Sequence, residues 1–204
     1  MRRLLIFILS LLPVVASAIG FDNTVSLLDR LDSAIAHSDE FASLRLARVA
    51  SLRKIQSSPH LTDYQLYDLN EAIAREFEVF QFDSTINYYY WNLGIARELH
   101  DQNKINQSLI HLGRVHATAG YYLDANNILN VQLDTVTLDK SLLDKYYWAQ
   151  YCLNKQLFVE AEYQSPESVA AKRLQYYRNR LLEILSIDSF EYRILRVSQF
   201  LERG

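Results

Sequence analysis

Residues 109–125 read Leu-Ile-His-Leu-Gly-Arg-Val-His-Ala-Thr-Ala-Gly-Tyr-Tyr-Leu-Asp-Ala, and no other stretch restricts the fold as much. Leu109, Leu112 and His116 recur at spacings of three and four, so one helix from Asn103 to Ala119 carries them on a single face. Gly113 removes a side chain beside Leu112, where a second helix must lie close. Gly120 supplies the positive φ of a helix C-terminal cap. Tyr121 and Tyr122 open the next helix, and Ala125 is the small residue expected to pack it against Gly113. A generic helical hairpin does not require Gly113, Gly120 and Ala125 together.

Leu109, Leu112, Gly113, His116, Gly120, Tyr122 and Ala125 stand at the offsets of a tetratricopeptide (TPR) helix-turn-helix unit, best placed at residues 103–137. The pattern recurs. Phe80-Gln81-Phe82-Asp83-Ser84-Thr85 resembles Gly120-Tyr121-Tyr122-Leu123-Asp124-Ala125 at an offset of 40 residues, and Phe158-Val159-Glu160-Ala161 follows 36 residues after Ala125. These periods exceed the usual ~34 residues, which points to long-helix, degenerate copies. Tyr90, Leu93 and Gly94 offer a competing register, but it puts Asn106 at the small position and lacks a turn glycine. The expected fold is all-α: a TPR-like right-handed helical-hairpin solenoid of about 8 to 9 helices.

Local signals agree. The whole chain holds only three prolines and five glycines. Val25, Leu27, Leu28, Leu31 and Ile35 form an apolar helical stripe. A second helix spans Ser38–Gln56 and ends before Pro59. Thr62-Asp63-Tyr64-Gln65 is a capping box opening a helix to Phe80. Asp83 or Ser84 caps the next helix, which runs to His100. Asp139 opens another; Ser165-Pro166-Glu167 reads as a cap with proline at the first helical position; Asp188-Ser189-Phe190-Glu191 opens a last helix to Glu202. The domain expectation is residues 19–60 as an N-terminal helical hairpin and 61–204 as the repeat array.

Residues 1–18 have the form of a secretory signal peptide: Arg2-Arg3, an apolar run from Leu4 to Val15, then Ala16-Ser17-Ala18, with cleavage near Ala18–Ile19. The run is short for a membrane span and Pro13 interrupts it. The chain is therefore expected to be exported and periplasmic. No cysteine follows the cleavage position, so it is not a lipoprotein of the usual bacterial type. The single Cys152 excludes an internal disulfide and reads as a buried structural thiol. The formal net charge is -3, acids and bases are interspersed, and no basic stripe favours nucleic acid. No segment after residue 18 is apolar enough to span a membrane.

The order of segments carries a resemblance. Leu27-Leu28-Asp29-Arg30-Leu31-Asp32-Ser33-Ala34-Ile35 precedes a long charged helix. Then come Phe80-Gln81-Phe82-Asp83-Ser84, the repeat core, Tyr146-Tyr147-Trp148 and Ile187-Asp188-Ser189-Phe190-Glu191-Tyr192. Across residues 22 to 202 this resembles the N-terminal sensory half of bacterial membrane-spanning TPR transcription regulators with a C-terminal domain of unknown function. The resemblance implies an exported array that senses a signal and couples it across the inner membrane to transcription. The transmembrane and cytoplasmic DNA-binding half has no counterpart before Gly204, so DNA binding does not carry over; the chain is expected to be a truncated product or a stand-alone sensor half.

The expected function is a non-enzymatic protein-interaction or ligand-sensing module; the alternative is a structural or assembly scaffold of an envelope complex. Serine-nucleophile contexts, phosphate loops and HExxH are absent, and no cofactor is expected. His111 and His116 are five apart, on different helix faces, which argues against a metal pair. Fourteen tyrosines occur, many in adjacent runs that cannot all face one core. Rigid amphipathic tyrosines suit a groove for a protein or peptide segment, or for an envelope-derived ligand such as a glycan; Tyr88, Tyr90, Tyr121 and Tyr147 are the candidates. Tyr192, Ile194, Leu195, Val197, Phe200 and Leu201 make the last helix apolar on more than one side, so self-association through residues 189–202 is expected.

Overall fold

The computed structural model describes residues 25–161, 165 and 167–201. The leader-like residues 1–18 and their cleavage position lie outside the described residues. So do Pro166 and Glu202. Among the described residues every regular element is helical. They are α1 (25–36), α2 (Ser38–Gln56), α3 (Asp63–Phe77), α4 (Phe82–Glu98), α5 (Gln102–Thr118), α6 (Tyr122–Asn127), α7 (Leu143–Val159), α8 (Val169–Ile184) and α9 (Phe190–Leu201). The all-α, solenoid-like architecture is the one the periodicity predicts.

The chain divides into two compact units at Arg48/Val49, inside α2. In the first, the hydrogen-bond ladder runs through His37: its N–H donates to Ser33 O at 3.1 Å and its own carbonyl accepts from Phe41 N at 3.1 Å. The loop expected for a hairpin within 19–60 is therefore not formed at this point. Ala36-His37-Ser38-Asp39 holds neither glycine nor proline, so nothing breaks the helix there. Leu27, Leu28, Leu31, Ile35, Phe41 and Leu44 are all exposed in this unit.

In the second unit α3 packs on α4, α4 on α5, α5 on α6 and α7, α7 on α8, and α8 on α9. Successive first helices, α5 and α7, thus lie against each other, as stacked hairpins require. Ile73, Phe77, Tyr89, Leu93, Leu112 and Leu129 anchor the larger core. A smaller one holds Tyr151, Leu174, Leu181 and Leu195. Among the described residues no helix is long and apolar enough to cross a membrane.

The turns show which sequence signals hold. Thr62 accepts from Gln65 N while its own N–H donates to the Gln65 side chain, the reciprocal capping box expected for α3, although that helix ends at Phe77 rather than Phe80. Gly120 takes φ +90°. Its neighbour's N–H, on Tyr121, reaches His116 O at 2.9 Å, and its own reaches Ala117 O at 3.3 Å, which completes a Schellman cap on α5. His100 forms the same cap on α4 at φ +52°, with no glycine to announce it.

Several boundaries differ. Neither Asp83 nor Ser84 caps α4. Gln81 holds the cap position without a side-chain bond, because the buried Thr85 hydroxyl donates to Gln81 O at 3.0 Å and draws the helix start forward. Ser168, not Ser165, caps α8, accepting from Ala171 N at 3.1 Å. Ser189, not Asp188, caps α9, accepting from Tyr192 N at 3.1 Å. Asp139 caps a short 3-10 turn, Lys140–Leu142, that leads into α7. After six residues α6 widens into a π-helical turn, Ile128–Gln132, so the second helix of the best repeat stops short of residue 137.

Candidate ligand-binding cleft

Helix α5 has two working faces. One carries Leu109, Leu112 and Gly113 toward α6 and the π turn. A Cβ on Gly113 would stand 2.4 Å from Leu129 Cγ and 2.5 Å from Leu129 Cδ2. The close partner of Gly113 is therefore the Leu129 side chain, one turn beyond the Ala125 expected from the pattern, because the leucine reaches back along its helix into the space the glycine leaves. Ala125 itself is fully buried, and Tyr122 packs at the edge of the same core.

A second face of α5 carries a polar layer. Glu71 of α3 pairs with Arg75, accepts from Gln107 Nε2 at 2.8 Å and lies 3.6 Å from His111 Nε2. Glu78 accepts from Tyr89 OH at 2.5 Å and pairs with Arg114. The His111 ring stacks on Tyr89, centroids 4.8 Å apart and nearly parallel. Burial opposes ionisation of Glu71, but His111 and the Arg75 guanidinium outweigh it and hold its pKa down at about 2. For His111 burial dominates and lowers the pKa, and Arg114 acts in the same direction. The two influences cannot both assume a charged histidine. The ring is buried in an apolar stack, so it stays neutral, and Glu71 leans on Arg75 and Gln107. Neither ring nitrogen of His111 has a hydrogen-bond partner.

That ring and Arg114 also line a cleft of about 430 Å³ between α5, α7, α8 and α9. Asp144, Lys145 and Trp148 enter it from α7, one helical turn apart. Leu181 of α8, Leu185 at its C-cap, and Phe190 and Ile194 of α9 form its apolar side, and Glu191 adds a carboxylate at the rim. A mostly apolar wall with a few convergent polar groups is the usual composition of a ligand site. Cys152, on α7, has its thiol pushed up to about 11 by burial, which keeps it protonated and inert.

The four candidate tyrosines do not converge on one groove. Tyr88 is only 4% exposed, so its expected place in a groove is not met. Its ring stacks on Phe77 and its hydroxyl accepts from Arg53 Nε at 3.0 Å. Of the run Tyr88-Tyr89-Tyr90, two face the core, and only the third is turned out. Tyr90 and Tyr121 are exposed and meet around His116. Half-buried Tyr147 lies against Tyr177 with Arg180 over its ring at 5.6 Å. The cleft residues His111, Arg114, Trp148 and Phe190 were missed as a set, because they come from separate helices and share no spacing in the chain.

A family model described as the SusR N-terminal TPR domain matches residues 35–204. The chain belongs to this family. The match spans α2 through α9, although α1 precedes it. No curated protein and no solved structure matches the chain. A TPR domain is in general a non-catalytic repeat module for protein interaction. In this TPR domain Leu109, Leu112, Gly113, Gly120, Tyr122 and Ala125 lie at the junction of α5 and α6, while the cleft opens on the far side of α5, toward α7.

Proposed function

We propose that the TPR domain is a non-enzymatic ligand-sensing module outside the cytoplasm, the sensory part of an envelope signalling system coupled to transcription, and that its ligand occupies the cleft between α5, α7, α8 and α9. The observation that carries this reading is His111: a buried neutral imidazole at the wall of a 430 Å³ cleft, neither of whose nitrogens makes a hydrogen bond, Nε2 standing 3.6 Å from the Glu71 carboxylate. A buried polar group without a partner costs about 1–3 kcal/mol, which a ligand bonding to it would recover. The carboxylates nearest the ring support binding over catalysis, since Glu71 and Glu78 are each committed to an arginine.

The chain, immobilised and exposed to fractionated envelope extract, should retain a component identifiable by mass spectrometry. A Leu185→Arg variant with an unchanged melting temperature should lose it, because the guanidinium would occupy the apolar wall. Equal retention by both proteins would remove the cleft as the site. The compartment is tested separately. Residues 1–34 fused to alkaline phosphatase should give an active, processed product shortened near Ala18. A full-length, inactive fusion would overturn export.

A further inference from the structure

A second recess, of about 490 Å³, lies at the start of α4 and the α5–α6 turn, away from the cleft and independent of it. Phe82 and Tyr121 stack on each other in its wall, centroids 5.4 Å apart and 10° from parallel. The His116 ring meets both edge-on at 6.2 Å. Asp83, Asn87 and Asp124 supply its polar rim.

Each polar group there is an acceptor or can act as one. His116 is only 7% exposed, and its Nδ1 lies 2.8 Å from Leu112 O. A carbonyl only accepts, so Nδ1 is the donor in that bond, and Nε2 is the ring nitrogen left to accept. The carboxylates of Asp83 and Asp124 have no ion-pair or hydrogen-bond partner among the described residues. No lysine or arginine is among the described residues lining the recess, whereas the cleft balances Asp144 and Glu191 against Arg114 and Lys145. The positive ends of α4 and α6 alone would account for either aspartate. They do not account for the two carboxylates converging with two stacked aromatic faces and a buried histidine acceptor on one recess.

We propose that this recess binds a cationic side chain, lysine ammonium or arginine guanidinium, of a protein partner. Aromatic faces attract a cation through the ring quadrupole, and carboxylates with a histidine acceptor satisfy its N–H donors. Arginine is favoured, since its planar group both stacks and forks to carboxylates.

The test titrates the whole isotope-labelled chain with N-acetyl-arginine amide, N-acetyl-citrulline amide, N-acetyl-lysine amide and putrescine, read by NMR. The arginine or lysine compound should shift the signals of Asp83, Asn87, Tyr121 and Asp124 saturably. The neutral, isosteric citrulline compound should not. Tyr121→Ala, at an exposed position, should weaken the binding about two- to thirty-fold, and Asp124→Asn should weaken it while leaving the melting temperature unchanged. Equal shifts with citrulline, shifts confined to other residues, no saturable shift with any compound, or binding of putrescine without either amino-acid amide would overturn the proposal.

Discussion

Gly113→Ala is expected to destabilise the fold by about 1–3 kcal/mol, and the same change at Gly94 to stabilise it by roughly 0.5–1 kcal/mol. Both glycines lie inside helices, α4 and α5, where alanine is the better helix former. Space decides the sign. A Cβ at Gly94 meets nothing within 4 Å. At Gly113 it would collide with the branch carbon of Leu129, at 2.4 Å, and with both its methyls. Leu129 is fully buried and cannot swing out. Overpacking then outweighs the gain in helix propensity, and a loss of 2 kcal/mol would lower melting by about 4–8 °C in a chain of this size. Melting temperatures of the two single variants check this. A rise in melting temperature for Gly113→Ala would show that Gly113 is not a packing position. Its role in the repeat, and the rejection of a register built on Gly94, would fall with it.

The second large effect is acid sensitivity. Against the opposing effect of burial, the Arg75 guanidinium holds the Glu71 carboxyl below the ordinary carboxylate range. Its ionised form therefore stabilises the fold above the pKa of the unfolded chain, and that stability is lost as pH falls from about 5 toward 2. His111 acts in the same direction at higher pH. Its folded pKa lies below that of an unfolded histidine, so the unfolded chain binds the proton first and stability begins to fall below about pH 6.5. Urea midpoints between pH 3 and 8 should be flat above neutrality and decline in two stages below it. Glu71→Gln should be less stable than the parent at pH 7, by about 1–2 kcal/mol, with the gap narrowing steadily as pH falls below about 5. A gap that stays constant across the range would mean that the ionised carboxylate does not supply the stability.

This polar layer also explains part of what the sequence leaves obscure. Glu71, Glu78, Tyr89, Gln107 and Arg114 come from three helices, and each alone resembles a solvated helix residue. Only the packing of α3, α4 and α5 brings them together. The same holds for Tyr88 and Tyr90: two residues apart in one aromatic run, they take opposite fates because α4 shows one face to Phe77 and another to solvent. Capping signals read well where the chemistry is local, as at Thr62 and Gly120. They read poorly where a neighbour competes, as at Gln81, whose carbonyl takes the Thr85 hydroxyl.

The sequence alone determined that the described residues are helical and that a glycine turn joins α5 to α6. Those properties depend on spacings of three and four and on a positive φ, which are written along the chain. Only the tertiary structure decided that Leu129 fills the gap at Gly113, that His111 makes no hydrogen bond at a cleft walled by four helices, and that Phe82, His116 and Tyr121 meet at a recess rimmed by two aspartates and holding no lysine or arginine. Those properties depend on which side chains meet across helices far apart in sequence, and burial and close packing settle that, not periodicity.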